Sequence, residues 1–415
     1  MGYHHGSLAA PPRPSLAGPL GPLRALGALA LAAWVLLVGG ACDSRAPGRA
    51  LVLVTLGGEG RALEPLAAAL GQPALEFPAA HSPANWPLAS VRALLGAVEG
   101  PPDAASVWSR EALNAGVLTL AERLQAAGLR PAAVLSDGAV AQVEGLRQGF
   151  ESFDDGPAEF KEDLEATRRA LGAARGLLRS HSFLWIHLRG ADPPYALREA
   201  GLEAAASTQP LERGLSAWLK LSRTHPEETA LELLRCHAEA QAAHRAELAN
   251  FLAELAAGGP QAPTVLVTSL CGYELLEDGL IGAGTTAREP GLAVPFLLLG
   301  PGIPEGSVRR RVSLADAGPT LLDLAGLEVP KGSRGLSVLP GAPAPWRLHL
   351  ATVRRLRPAD VLYEEDLKLL RDRETGALAL YDLAADPGET QDLSKRRGSE
   401  LSRLKAALDE RVEAP

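Results

Sequence analysis

Three continuous apolar segments constrain the fold of this chain more than any other feature of its sequence. Residues 50–56 (ALVLVTL), 182–188 (SFLWIHL) and 264–268 (TVLVT) are rich in β-prone apolar side chains and do not alternate with polar ones. Such a run suits a β-strand that is covered on both faces, as strands of a parallel sheet are. Residues 132–135 and 294–299 predict two further strands of the same kind.

Helical patterns lie between these strands. We predict helices at 63–70, 118–127 and 228–257, the second stopped by Gly128 and the third by Gly258 and Gly259. Strands that alternate with helices over this length are typical of an α/β protein. The predicted fold class is α/β, with a mostly parallel sheet and helices on both faces.

The last part of the chain has a different pattern. Residues 340–345 are rich in Pro and Gly and indicate a boundary. Beyond it we predict three short strands and one helix, at 347–353, 361–371, 377–383 and 399–411. The expected organisation is therefore an α/β domain over 50–340 and a small C-terminal α+β subdomain over 341–415.

The first 41 residues predict a targeting segment rather than part of the folded domain. Arg13 and Arg24 precede an apolar run at 25–38, and small residues then lead to Cys42. This order is typical of a secretory signal, and the Cys after Gly-Ala resembles the lipobox of bacterial lipoproteins. We expect a signal peptide at 1–41, lipidation of Cys42, a linker at 42–49 and a chain held at the bacterial cell envelope by its lipid. The alternative is an uncleaved membrane anchor, for which the run is short.

Composition narrows the possible partners. The formal net charge is −8, from 41 Lys+Arg against 49 Asp+Glu, so no nucleic-acid partner is expected. The 3 cysteines are too few for a disulfide scaffold. Cys236 and Cys271 either pair in an exported protein or, as we favour, are two buried apolar thiols.

Several segments resemble, in the same order, those of one enzyme family. They are TLAERLQAAG (119–128), GFESFDD (149–155), DPPY (192–195), VPFLLLGPG (294–302), VSLADAGPTLLDLAG (312–326) and LYDLAADPGETQDL (380–393). The chain resembles the sulfatases of the alkaline phosphatase superfamily, with the last segment the most specific. The resemblance implies the alkaline phosphatase/sulfatase-like fold over nearly the whole mature chain.

The resemblance also implies where a divalent cation such as Ca²⁺ or Mg²⁺ would be held. The family places two adjacent Asp after the first strand, where this chain has Gly57 and Gly58. A second ligand pair stands in a "TSDHG"-like motif, where this chain has Leu270 and Cys271. Hard cations need carboxylate or amide oxygens, and Glu59 by itself does not replace the set. We predict no bound metal cofactor.

The nucleophile is also missing from the segment that the resemblance assigns to it. The family uses Cys, Ser or Thr, whereas residues 81–96 place Asn85 at that position in one alignment register and Pro87 in the other. Neither side chain attacks sulfur or phosphorus. Ser82 and Ser90 are nearby hydroxyls that we interpret as helix-cap or loop residues.

The other polar residues of these segments have structural interpretations. We expect His187 to be a hydrogen-bonded core residue. His237 and His244 are seven residues apart and share a helix face, which we interpret as solvated rather than as a metal site. Glu274 and Glu277 likewise predict a solvated acidic loop.

The sequence therefore predicts a sulfatase-like lipoprotein that is a catalytically inactive pseudoenzyme. Its expected role is binding or scaffolding at the cell envelope, through an envelope ligand or a protein partner. The alternative is an active hydrolase of sulfuric or phosphoric esters that uses non-standard residues.

Overall fold

The structure of the chain is a computed structural model. It describes residues 49–59, 66–96, 118–136, 140–156, 163–191, 226–277, 281–284, 286–333, 335–342, 349–353 and 358–413. These residues lie in one compact unit, which spans Asp43–Pro415. The predicted signal peptide, Cys42 and the DPPY segment lie outside the described residues. No helix among the described residues is long and apolar enough to cross a membrane.

The chain alternates strands and helices until about residue 324. In chain order the strands are β1 (Leu51–Leu56), β2 (Leu75–Glu76), β3 (Ala80–His81), β4 (Pro131–Leu135), β5 (Ser152–Asp154), β6 (Phe183–Leu188), β7 (Thr264–Ser269), β8 (Glu274–Leu275), β9 (Ile281–Gly282), β10 (Phe296–Leu299), β11 (Gly306–Ser307), β12 (Val312–Ser313), β13 (His349–Val353), β14 (Ala359–Glu364), β15 (Leu367–Asp372) and β16 (Leu378–Asp382). The helices are α1 (Leu66–Leu70), α2 (Pro87–Gly96), α3 (Leu120–Ala126), α4 (Asp163–Leu177), α5 (Pro226–Ala256), α6 (Glu289–Leu292), α7 (Ala317–Leu324) and α8 (Gly398–Glu413).

An eight-stranded sheet forms the centre of the molecule, in the order β11-β2-β10-β7-β1-β6-β4-β5. The five strands from β7 to β5 run parallel, and β10 runs antiparallel to both of its neighbours. β1 lies between β6 and β7, so that Thr55 is level with His187 on one side and Thr268 on the other. The predicted α/β fold with a mostly parallel sheet is confirmed.

Helices cover both faces of this sheet, because its strands carry apolar side chains in both directions. On one face, Leu53 and Trp185 belong to a core with residues of α2, α3 and α7. On the other, Val54 and Ile186 pack with residues of α1, α4 and α5. The two cores are the reason that the strand runs are continuously apolar in sequence.

The C-terminal region forms a separate four-stranded antiparallel sheet, β13-β14-β15-β16. One face of it packs on α8 through Leu362 and Leu404, and the other packs against Leu292 of α6 through Val361. The single strand predicted at 361–371 is wrong: it is the hairpin β14–β15. Its turn was missed because Glu365, rather than a Gly, takes the left-handed conformation there, with φ at 50°.

Three helices of at least eight residues were not predicted, and neither was the four-residue helix α6. The segment that becomes α2 begins with Pro87 in the first helical turn, a favourable position for proline. The amphipathic helix α4 and the short helix α7 were also missed. The domain boundary after residue 340 stays a prediction.

A buried cluster of charges joins the C-terminal sheet to the α/β part. The Lys368 ammonium lies 3.0 Å from Glu289 and 2.7 Å from Glu389, and it has no exposed side-chain surface. The Tyr363 hydroxyl donates to Glu289 at 2.7 Å. Burial raises the pKa of Glu289, but the charges of Lys368 and Arg311 outweigh it and hold that pKa below its ordinary value. The cluster therefore places the Lys368 ammonium between two carboxylate side chains.

Replacing Lys368 by Met should strongly destabilise the protein. The substitution leaves the Glu289 and Glu389 carboxylates buried without their cation, and we expect a loss of about 3–5 kcal/mol in the free energy of unfolding. Urea denaturation followed by circular dichroism measures it. Lys405→Met is the matched control, because the Lys405 ammonium pairs with Asp409 on the exposed side of α8. Similar urea midpoints for the two variants would show that the buried cluster does not hold the two parts together.

Candidate functional site

The site that the resemblance implies lies where β1, β6 and β7 end. Open α/β sheets bind ligands outside the carboxyl ends of their parallel strands. The residues that follow these three strands therefore decide which chemistry the edge supports. They are Gly57 and Gly58 after β1, Arg189 and Gly190 after β6, and Leu270 and Cys271 after β7.

The backbone closes the edge after β1. The Gly57 N–H donates to the Leu188 carbonyl at 2.9 Å. Gly190 has φ at 64°, and a Cβ atom on it would lie 2.4 Å from the Gly57 carbonyl oxygen. Gly58 also has a positive φ, 63°. Gly57 and Gly190 thus form a tight backbone crossing, and neither Gly57 nor Gly58 provides a side-chain oxygen.

The loop after β7 is held in a similar way. The Ser269 hydroxyl lies 2.8 Å from the carbonyl oxygens of both Leu56 and Cys271. Leu270 is buried in the core on the α2 side of the sheet. Cys236 and Cys271 are both buried thiols, as we favoured. Neither ligand position in this loop provides a carboxylate or an imidazole.

The segment before α2 contributes hydrogen bonds to the scaffold. The Asn85 amide donates to the Thr286 carbonyl at 3.0 Å, and Pro87 is the first residue of α2. The Ser82 hydroxyl lies 2.8 Å from both the Ser90 hydroxyl and the Leu270 carbonyl. Ser82 and Ser90 are completely buried. Ser90 is inside α2 rather than at its cap, and both hydroxyls connect the helix to the loop after β7.

His187 is the hydrogen-bonded core residue that the sequence predicted. Its Nδ1 lies 2.9 Å from the Thr55 hydroxyl, which also accepts a hydrogen bond from the Trp185 indole at 3.0 Å. All three side chains are buried. This network connects β1 to β6 directly below the edge.

The interpretation of His237 and His244 as a solvated face is wrong. Both are buried, because α5 lies over the sheet edge. The His237 ring stacks on Tyr273, with centroids 5.1 Å apart, and His244 Nδ1 lies 3.0 Å from the Thr167 hydroxyl. Burial lowers the pKa of His237 to about 4, with a further contribution from the charge of Arg245. Burial likewise lowers the pKa of His244 to about 4, and the charge of Arg189 adds to the effect.

The same helix face carries an ion pair that the sequence analysis missed. Arg245 Nη2 lies 2.6 Å from Glu59 Oε2, and Arg245 Nε lies 3.2 Å from the same oxygen. The Gln241 amide donates to this carboxylate at 3.3 Å. His237, Gln241 and Arg245 are spaced by four residues along a helix, and this polar stripe was the available signal. Glu59 follows the Gly pair after β1, so the ion pair ties α5 to the sheet edge.

Glu274 is also not the solvated residue that we expected. It is completely buried and accepts a hydrogen bond from the Thr286 hydroxyl. The Thr286 carbonyl accepts a hydrogen bond from the Asn85 amide. Glu274, Thr286 and Asn85 thus connect the loop after β7 to the segment before α2.

The residues present at this edge do not fit a Ca²⁺ or Mg²⁺ site. Within the described ranges, no group of three or more His, Cys, Asp or Glu side chains is arranged to hold a metal ion. The Glu59 carboxylate is engaged by Arg245. Hard divalent cations require several oxygen ligands, and Gly57, Leu270 and Cys271 provide none from their side chains.

Short stretches of the chain are similar in sequence to curated sulfatases. The extracellular sulfatase SULF-1 homolog of Drosophila melanogaster is 39% identical over 77 residues, which are 18% of this chain and 7% of that protein. Arylsulfatase K of Homo sapiens is 32% identical over 119 residues, 24% of this chain and 22% of that protein. The chain thus spans less than a quarter of either relative. No family model matches it.

Solved structures match the fold over most of the chain. A 2-O GAG sulfatase superposes with a TM-score of 0.69 at 16% identity, covering 88% of this chain and 92% of its own. The phosphonate monoester hydrolase from Silicibacter pomeroyi gives 0.66 at 16% identity, covering 88% and 95%. The chain has the fold of these sulfatase and phosphonate monoester hydrolase structures.

His244 should make the stability of the protein depend on pH. Its pKa is about 4 in the folded chain, against about 6.5 unfolded, so the unfolded state binds the extra proton between these values. Above pH 6.5 this histidine does not lower the free energy of unfolding. As the pH drops from 6.5 towards 4, it lowers the free energy of unfolding by about 1.4 kcal/mol per pH unit. His244→Gln should remove that part of the slope. Urea denaturation at pH 4.5, 5.5 and 6.5 measures it.

The difference in stability between the wild type and His244→Gln isolates the contribution of His244 to the pH dependence. Burial raises the pKa of Glu59 more than Arg245 lowers it, which gives an opposite slope, but this contribution is present in both proteins and cancels in the difference. Ala242→Ser, at an exposed position of α5, is the control substitution and should follow the wild type. Parallel stability curves for wild type and His244→Gln would disprove the assignment.

Proposed function

We propose that this chain is a sulfatase-fold lipoprotein of the bacterial cell envelope that binds or scaffolds and does not hydrolyse esters. The proposal rests on one observation: which residues and backbone contacts occupy the carboxyl edge of the sheet. Where the resemblance implies metal ligands, the backbone crosses at Gly57 and Gly190 and the side chain of Leu270 enters the core.

Ester hydrolysis at this edge would lack its main electrostatic contribution. A divalent cation screens the anionic ester and polarises the nucleophile, and charge stabilisation is usually the largest single catalytic effect. Directly after β1 the edge offers the Glu59 carboxylate, whose charge is balanced by Arg245, and the Glu274 carboxylate farther along the loop after β7 accepts a hydrogen bond from Thr286. The donor set therefore supports binding better than catalysis.

A nucleophile is also not prepared at the segment before α2. Asn85 donates its amide to a carbonyl, and Pro87 has no reactive group. Ser82 and Ser90 are hydrogen-bonded to each other and to backbone carbonyls, and no His or carboxylate among the described residues is hydrogen-bonded to them to activate them. This geometry does not favour the alternative of an active hydrolase, which remains an outcome of the test below.

The proposed location rests on the N-terminal sequence. The basic residues, the apolar run and Cys42 support export followed by lipid attachment. An exported chain with the sulfatase fold would meet envelope polymers or envelope proteins, and the edge of the sheet is the surface where we place such a ligand.

Assays of the purified full chain should show no turnover of 4-nitrophenyl sulfate or 4-nitrophenyl phosphate above the buffer rate, with or without added Ca²⁺ and Mg²⁺. The physical reason is that the edge lacks both the cation site and an activated nucleophile. Product absorbance over several hours measures it.

Variants separate a true activity from a contaminating enzyme. Ser82→Ala and Asn85→Ala would be assayed beside the wild type, with the surface substitution Ala242→Ser as the matched control. Turnover that persists in Ala242→Ser and disappears in either of the other two would establish the hydrolase and overturn the pseudoenzyme.

A further inference from the structure

The ion pair between Glu59 and Arg245 is unusual within the molecule because of its burial. The side chains are 3% and 9% exposed. In the other arginine–carboxylate pairs of the described residues, at least one partner is exposed by about a fifth or more, as in Arg371 with Asp360 at 20% and 2%. The chain therefore keeps this guanidinium in a nearly water-free position at the sheet edge.

The guanidinium of Arg245 is suited to oxoanions. Its planar fork binds the oxygens of a carboxylate, sulfate or phosphate through directed hydrogen bonds. Here both Nε and Nη2 point at Glu59, and Gln241 adds a third donor to the same carboxylate. Three donors that converge on one carboxylate form a receptor for an anion of this size.

Burial of the Glu59 carboxylate, which occupies this receptor, is unfavourable for its ionised form. Burial raises the pKa of Glu59 above its ordinary value, even with the hydrogen bonds and charge of Arg245. Removing Glu59 would be more costly, because a buried guanidinium would then lack its counter-charge. An anion from solution that reaches Arg245 should consequently restore what Glu59 supplied.

We propose that Arg245 and Gln241 form an oxoanion-binding site at the carboxyl edge of the sheet, and that the chain's own Glu59 occupies it. The ligand chemistry is a sulfate, phosphate or carboxylate group, which must compete with Glu59 for the guanidinium. The inference rests on the proposed function in taking this edge as a binding surface. It adds that the surface is closed by a residue of the same chain.

Replacing Glu59 by Ala in the full chain tests the site. The variant should unfold at a lower temperature than the wild type in sodium chloride. Sodium sulfate at equal ionic strength should raise its unfolding temperature by about 2–4 °C more than it raises that of the wild type, with saturation as the concentration increases. Sulfate also stabilises proteins in general by exclusion from their surface, so the difference between proteins is the informative quantity.

Two further measurements make the test specific. The double variant Glu59→Ala/Arg245→Met lacks the guanidinium and should show only the general sulfate effect. Sodium acetate, which restores a carboxylate, should also stabilise Glu59→Ala relative to the double variant. If Glu59→Ala is unfolded in chloride, sulfate must restore its folded far-ultraviolet circular dichroism.

The outcomes decide between the site and a purely structural ion pair. Equal sulfate shifts in Glu59→Ala, the double variant and the wild type would overturn the proposal, as would a Glu59→Ala protein that stays unfolded in both salts. Ester turnover in the assay described above would refute the pseudoenzyme and leave these unfolding temperatures unaffected, so the two failures are distinguishable.

Discussion

Everything at the candidate site depends on the register in which β1 lies between β6 and β7. Because Thr55 is level with His187 and Thr268, the three strands end together and their next residues meet at one edge. In this chain those residues join the strands to each other. Gly57 bonds to the Leu188 carbonyl, and the Ser269 hydroxyl lies against the Leu56 carbonyl. Backbone and hydroxyl groups at this edge therefore satisfy one another's hydrogen bonds.

Helix α5 then determines the electrostatics above that edge. From Leu248 onward it packs on the sheet through apolar residues such as Phe251, whereas the turns before Leu248 carry His237, His244 and Arg245 inward. The buried histidines are neutral at ordinary pH because burial lowers their pKa to about 4. The charge at the edge is therefore concentrated in guanidinium groups and in Glu59. This arrangement is the basis on which we propose recognition of an anionic group at the edge.

The strands and the fold class were predictable from the sequence because burial on two faces leaves uninterrupted apolar runs, as in β1 and β7. For the candidate site, the sequence predicted only that metal-ligating side chains are absent, for example at Gly57 and Leu270. The role of α5 was not predictable, since spacing shows that His237 and His244 share a face but not whether that face is buried. Glu274 was misjudged for a related reason: its partner Thr286 is distant from it in sequence, and only the folded chain brings them together.

We infer that this sheet, which has the sulfatase fold, lacks among the described residues of its carboxyl edge the side-chain oxygens that would hold a cation. Calorimetric titration of the purified full chain with Ca²⁺ and with Mg²⁺ tests it most directly, because ion binding does not depend on guessing a substrate. The account predicts heats of dilution and no saturable site for either ion. A saturable site with one ion bound per chain would contradict it, and would mean that side chains other than Gly57, Gly58, Leu270 and Cys271 supply the ligands.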